Sequence, residues 1–197
     1  MNVDYFSMII IIFIIFISYR IYYNADLFQL KCIVSTVDGE TYCVRERLKL
    51  EYAADRLAQA NQNMKKVVNH CVEKFPNKEN VIRMKDGYNP KKIVETLPTS
   101  EYTAYSENKG EKLAFCLDTK KNSAGRLIDL NTLTYVALHE LAHIATKSVG
   151  HTPEFWNNFK FLLTEAAKIN IYEPIDYKNN PQEYCGMTID DNPFFDG

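Results

Sequence analysis

The chain has no Cys-x-x-Cys pair, and its five cysteines, Cys32, Cys43, Cys71, Cys116 and Cys185, are an odd number. That pattern argues against both a cysteine-ligated zinc site and a disulfide scaffold. No sign of charge dominates either, with 23 Lys and Arg against 25 Asp and Glu. The middle of the chain is only mildly basic, and after Tyr172 six acidic residues face Lys178 alone. Electrostatics therefore give no argument for DNA or RNA, and no nucleic-acid partner is expected. At the front, no basic segment precedes the first apolar run, since Asp4 stands there, and no small-residue cleavage site follows it. Those two absences disfavour a secretory signal.

What is present at the front is an uncharged run over residues 5–19, extendable past Arg20 to Tyr23, with eight isoleucines between Ile9 and Ile21. It approaches the roughly 20 residues that a bilayer span needs, and it has no wet face. An uncleaved membrane anchor is expected. Arg20 and then Lys31 lie on its carboxyl side, so the positive-inside rule favours a cytosolic remainder. In that compartment Cys32 and Cys43 would stay reduced.

Cys32 and Cys43 flank Asp38-Gly39, a turn signal between two runs of strand-forming residues. With Asp38-Gly39 as a two-residue loop the cysteines are diagonal, at the limit of disulfide reach. A shift of one residue sets them opposite, and a bond there requires an oxidising lumen. Apolar residues from Tyr52 to Cys71 recur at three- and four-residue steps, predicting a long helix over 47–75 that Pro76-Asn77 ends. His70 reads as a helix-end residue. The 77–98 stretch reads as loop with short helical turns near Val81 and Ile93. Period-two patterning over 102–106 and 112–117, joined by Asn108-Lys109-Gly110, predicts a second hairpin. Asn122-Ser123-Ala124-Gly125 reads as another turn. A helix then follows over about 134–147, with Asn131 or Thr132 as its cap and Asp129 as a cap or a partner behind the site. Thr152 and Pro153 start a further helix as N-cap and first residue.

Histidine is scarce, yet three of the four, His139, His143 and His151, fall in or beside the 134–147 helix. Residues at i and i+4 lie one turn apart on the same face, so His139 and His143 can share one ion. Glu140 sits about 100° further round, beside the ion rather than on it, where it can take a proton from an activated water. Four His and fourteen Glu in random order would give His-Glu-x-x-His roughly once in two hundred such sequences. The competing reading is an amphipathic helix with histidines at a core edge. Val136, Leu138, Leu141, Ala142, Ile144 and Ala145 surround the polar trio, however, and burying two imidazoles and a carboxylate without a partner costs several kcal/mol. A zinc ion is the expected partner.

With His139-Glu140-Leu141-Ala142-His143 and His151 followed by Phe155-Trp156, the chain resembles the SprT-like and WLM-type zinc metallopeptidases. It is most similar to metallopeptidases encoded by large nucleocytoplasmic DNA viruses, from about Tyr102 to Tyr184-Cys185-Gly186-Met187. The resemblance implies an α+β, compact zincin-like domain behind the transmembrane helix, one zinc, His139, His143 and His151 as ligands, and Glu140 as general base. Joined to the apolar run and the first hairpin, this gives an expected organisation of an anchor over 1–23, a β-hairpin and linker over 24–46, and the metallopeptidase domain over 47–197. In peptidases of this helix type an edge strand beside the metal helix can hold an extended peptide, and the 113–117 segment is the candidate. The chain departs from the WLM spacing between its second and third histidines, and Thr146 stands where metzincins carry Gly. Glu165, on the following helix, therefore stays open as an alternative third ligand.

A zinc on three protein ligands lowers the pKa of a bound water to about 7. A Tyr or a backbone amide would share the developing oxyanion charge, with Tyr184 as the candidate. The expected function is a membrane-anchored zinc peptidase acting on a protein or peptide substrate. Two alternatives remain: a catalytically silent zinc-binding structural or interaction protein of a virion or membrane, and a non-peptide zinc hydrolase. The sequence leaves substrate and oligomeric state open.

Overall fold

The computed structural model describes residues 5–24, 30–121 and 126–196. The apolar run forms helix α1 (Tyr5–Asn24). It is long and apolar enough to cross a membrane, and none of Tyr5–Tyr22 is buried against the rest of the chain. The remainder is a mixed α+β unit in chain order: β1 (Leu30–Val34), β2 (Thr41–Arg45), α2 (Leu50–Lys74), α3 (Glu79–Gly87), β3 (Ile93–Glu95), β4 (Ala104–Glu107), β5 (Lys112–Phe115), α4 (Leu130–Ala145), α5 (Pro153–Lys168), β6 (Gln182–Tyr184) and β7 (Met187–Ile189). The turn expected at Asn122 to Gly125 lies outside the described residues.

The main sheet has the order β1-β2-β3-β5-β4. β2, β3 and β5 run parallel, while β1 and β4 are the antiparallel outer strands. Three expectations change here. The stretch read as loop contains a full helix, α3, and a three-residue strand, β3, at the centre of the sheet. The first hairpin is no linker, because β2 pairs with β3 and buries Tyr42 and Val44 in the common core. The 113–117 segment is no edge either: β5 is enclosed between β3 and β4, and the edge strand is β4.

β3 belongs to the interior because its acid is neutralised there. Glu95 is fully buried, accepting from the Arg45 backbone N–H at 2.7 Å and pairing with Arg47, which also reaches Asp118 at 2.9 Å. Burial pushes the Glu95 carboxyl up, and the two arginines and the Arg45 amide oppose that rise. Arg45 itself bonds to Thr96 and Leu97, tying β2 to the chain leaving β3.

The first hairpin closes through Thr36-Val37-Asp38-Gly39, with the Ser35 N–H donating to the Glu40 carbonyl. Its register is two residues, not one, away from that of an Asp38-Gly39 loop, so Cys32 stands directly opposite Cys43, and the two are bonded. Cys116 and Cys185 form a second disulfide, and Cys71 is free and buried. The Cys32–Cys43 bond corrects the expectation that these two cysteines stay reduced.

Candidate metal centre

Helix α4 is the hub of the fold, packed by α2, α3, α5 and β4. Apart from its first two residues, His139 and His143 alone escape full burial, so the helix exposes those two imidazoles and little else. Asp129 is its N-cap, accepting from the Thr132 N–H at 2.8 Å. This settles Asp129 as a cap and replaces the expectation of Asn131 or Thr132. Thr152 caps α5, with Pro153 as its first residue, as expected.

The chain between the two helices swings His151 over the pair. His139 Nε2 lies 3.2 Å from His143 Nε2 and 3.0 Å from His151 Nε2. The three candidate ligand atoms fall within 4.8 Å of one another. Two nitrogens held about 2.0–2.1 Å from one tetrahedral ion stand about 3.3 Å apart, a span that the His139–His143 and His139–His151 separations match, and imidazoles are donors that zinc accepts. Phe155 stacks on His143 with ring centres 4.3 Å apart and meets His139 edge-on at 4.8 Å. Trp156 lies 5.6 Å from His151. The first turn of α5 thus fixes all three rings.

Burial dominates the electrostatics. It lowers His139 to about 3, helped by His143 and His151, and lowers His143 to about 4, helped by His151 and Lys109. Both rings are neutral at pH 7, the form that ligates a metal. Glu140, only 5 % exposed, is pushed up to about 8 by burial. A cation beside it would draw it back toward the carboxylate.

Glu165 does not join the cluster. On α5 its carboxylate accepts from His70 at 2.9 Å and pairs with Lys168 at 2.6 Å and Lys74 at 3.5 Å. His70, read as a helix-end residue, is thereby a partner of Glu165. Tyr184 lies beside Glu140, buried, with its hydroxyl donating to the Thr103 carbonyl at 3.1 Å. That proton is committed, so Tyr184 offers no free donor to an oxyanion and instead ties the β6–β7 hairpin to the entry of β4.

A cleft of about 1350 Å³ opens over the histidines. Edge strand β4 forms one wall, and Met187, Thr188, Ile189, Asp190 and Asp191 contribute to the other. Sequence reasoning missed β4 as the wall and Lys109, whose ammonium binds the carboxyl end of α4. The Asn108-Lys109-Gly110 turn signal was the one available pointer to that residue.

The chain is similar to three uncharacterized viral proteins. It is 41% identical over 100 residues to R325 of Acanthamoeba polyphaga mimivirus, covering 51% of this chain and 50% of that protein. It is 34% identical over 100 residues to 042R of Invertebrate iridescent virus 3, covering 51% and 57%. It is 33% identical over 75 residues to 136R of Invertebrate iridescent virus 6, covering 38% and 41%. The chain thus spans about half the length of these relatives. No protein-family model matches it, and no solved structure does.

Proposed function

We propose that this is a viral zinc-dependent peptidase of zincin-like fold, held at a membrane by α1. The observation that carries the reading is the convergence of three imidazole nitrogens from α4 and the following turn, with Glu140 next in line on the same helix. His139, His143 and His151 would hold the ion. Zinc on such a set supplies a Lewis acid and lowers the pKa of water at neutral pH.

Glu140 takes the proton from the attacking water and delivers it to the leaving amine. Its burial keeps bulk water from competing for that proton. Among the described residues β4 is an outer strand of the sheet and lines the cleft, so an extended peptide can add to the sheet there through its backbone. Side chains of the peptide would then meet Tyr102, Trp156, Val149 and Met187, all of which line the cleft and are exposed. The two cystines support a domain on an oxidising side of the membrane.

The test is proteolysis of a random peptide library by full-length protein in detergent, with the Glu140→Gln form in parallel. Cleavage by the wild type, with at least a hundredfold loss in a variant of equal zinc content, supports the proposal. A zinc-loaded wild type that leaves the library intact, or a variant that cleaves equally well, overturns it.

A further inference from the structure

We propose that Lys109 is a positioning residue for the metal centre, fixing from the β4–β5 turn the separation between His143 and His151. The inference rests on the metal reading of the three histidines.

Helix α4 ends at Ala145 without a left-handed cap: its C-cap residue, Thr146, is extended, with φ −93° and ψ 133°. The last carbonyls of such a helix need outside donors. An ammonium has three N–H groups, and the Lys109 Nζ spends them on the carbonyls of Thr146 at 2.8 Å, Ser148 at 2.9 Å and His143 at 3.1 Å. These acceptors begin at the second histidine and run into the turn that carries the third. A single cation thus pins the stretch of chain that sets their spacing.

The turn presenting Lys109 is itself held in place. Asn108 and Lys109 both adopt left-handed backbone, with φ 46° and 56°, a conformation that persists where surroundings enforce it. Gly110 and Gly87 approach so closely that a Cβ on Gly110 would lie 2.4 Å from the Gly87 carbonyl oxygen, and one on Gly87 2.5 Å from that of Lys109. The Asn89 N–H donates to Gly110 at 3.1 Å. On the opposite side Arg83 donates to the Ala145 carbonyl at 2.8 Å, and Glu154 accepts from the Lys147 and Ser148 amides. Those bonds survive loss of Lys109, so a variant can fold while the turn loosens.

Charge alone predicts the opposite effect. Removing a cation near a dication site should tighten metal binding, whereas removing a positioning contact should weaken it, typically 10–100-fold. Zinc affinity is measured by competition with a chromophoric chelator on full-length wild type, Lys109→Met, Lys109→Arg and Lys147→Met. The last removes an exposed charge two residues beyond the helix end, with circular dichroism confirming the fold of each. Lys109→Met is expected to bind at least about tenfold more weakly, Lys109→Arg to fall between it and wild type, and Lys147→Met to bind as wild type or tighter. Should Lys109→Met not fold, Lys109→Gln takes its place with the same expectation. A folded Lys109 variant that binds like Lys147→Met overturns the inference and leaves the metal reading intact. Wild type that takes up no zinc overturns both.

Discussion

His151 Nε2 lies 3.0 Å from His139 Nε2 although twelve residues separate them in sequence. The i, i+4 pair follows from helix geometry alone. The third nitrogen arrives because Thr152 and Pro153 restart the chain as a helix, and Phe155 and Trp156 press that helix's first turn onto the imidazoles.

The cystines give the first prediction. Unfolding the purified protein without reductant and alkylating it should modify one cysteine per chain, Cys71, as read by intact mass. In the chain-entropy picture, opening Cys116–Cys185 should cost about 4 kcal/mol and opening the shorter Cys32–Cys43 loop about 3 kcal/mol. Five modified cysteines would contradict the pairing. It would also restore the cytosolic topology that Arg20 and Lys31 suggest, in which added protease digests the domain on sealed vesicles.

The close approach of Gly87 to the Lys109 backbone gives the second. Gly87→Ala would set a methyl 2.5 Å from the Lys109 carbonyl oxygen and 2.6 Å from Ile144 Cγ2, neither of which can easily retreat. A loss of about 1–3 kcal/mol is expected, read as a lower urea midpoint. Gly39→Ala meets open space but sits at φ 74°, so its cost should be the smaller backbone penalty of about 1 kcal/mol. Equal losses at the two sites would refute the packing argument.

Much of this was legible in the chain and some was not. The histidine-bearing helix α4, the Thr152 cap with Pro153 after it, the long helix α2 and the second hairpin follow from periodicity and local chemistry. β3 does not, because three residues are too few to show alternation, and Glu95 reads as a surface residue until Arg45 and Arg47, some fifty positions earlier, are brought beside it. The same holds for Lys109, whose partners lie 34 to 39 residues away. The hairpin register failed for a nearer cause: Asp38-Gly39 occupies the second half of a four-residue loop.

Glu165 provides a pH prediction. Burial raises its carboxyl, but bonds from Lys168 and His70, with the charge of Lys74, bring it down to about 2. A carboxylate whose pKa is depressed by folding contributes stability above its ordinary value near 4.5, and that contribution fades as pH falls toward 2. Wild type should therefore exceed Glu165→Gln by about 1–3 kcal/mol at pH 6, with the gap closing between pH 4.5 and 2. A gap that is constant over this range, in urea unfolding of metal-free protein, would show that the ion pairs contribute nothing.

Zinc retained per chain after dialysis against a weak chelator tests the central claim most directly, on wild type, His139→Ala, His151→Ala and Glu165→Ala. The account predicts about one zinc in wild type and in Glu165→Ala, and close to none in either histidine variant, because losing one of three ligands weakens binding by orders of magnitude. Zinc kept by His151→Ala and lost from Glu165→Ala, or absent from wild type itself, would contradict it.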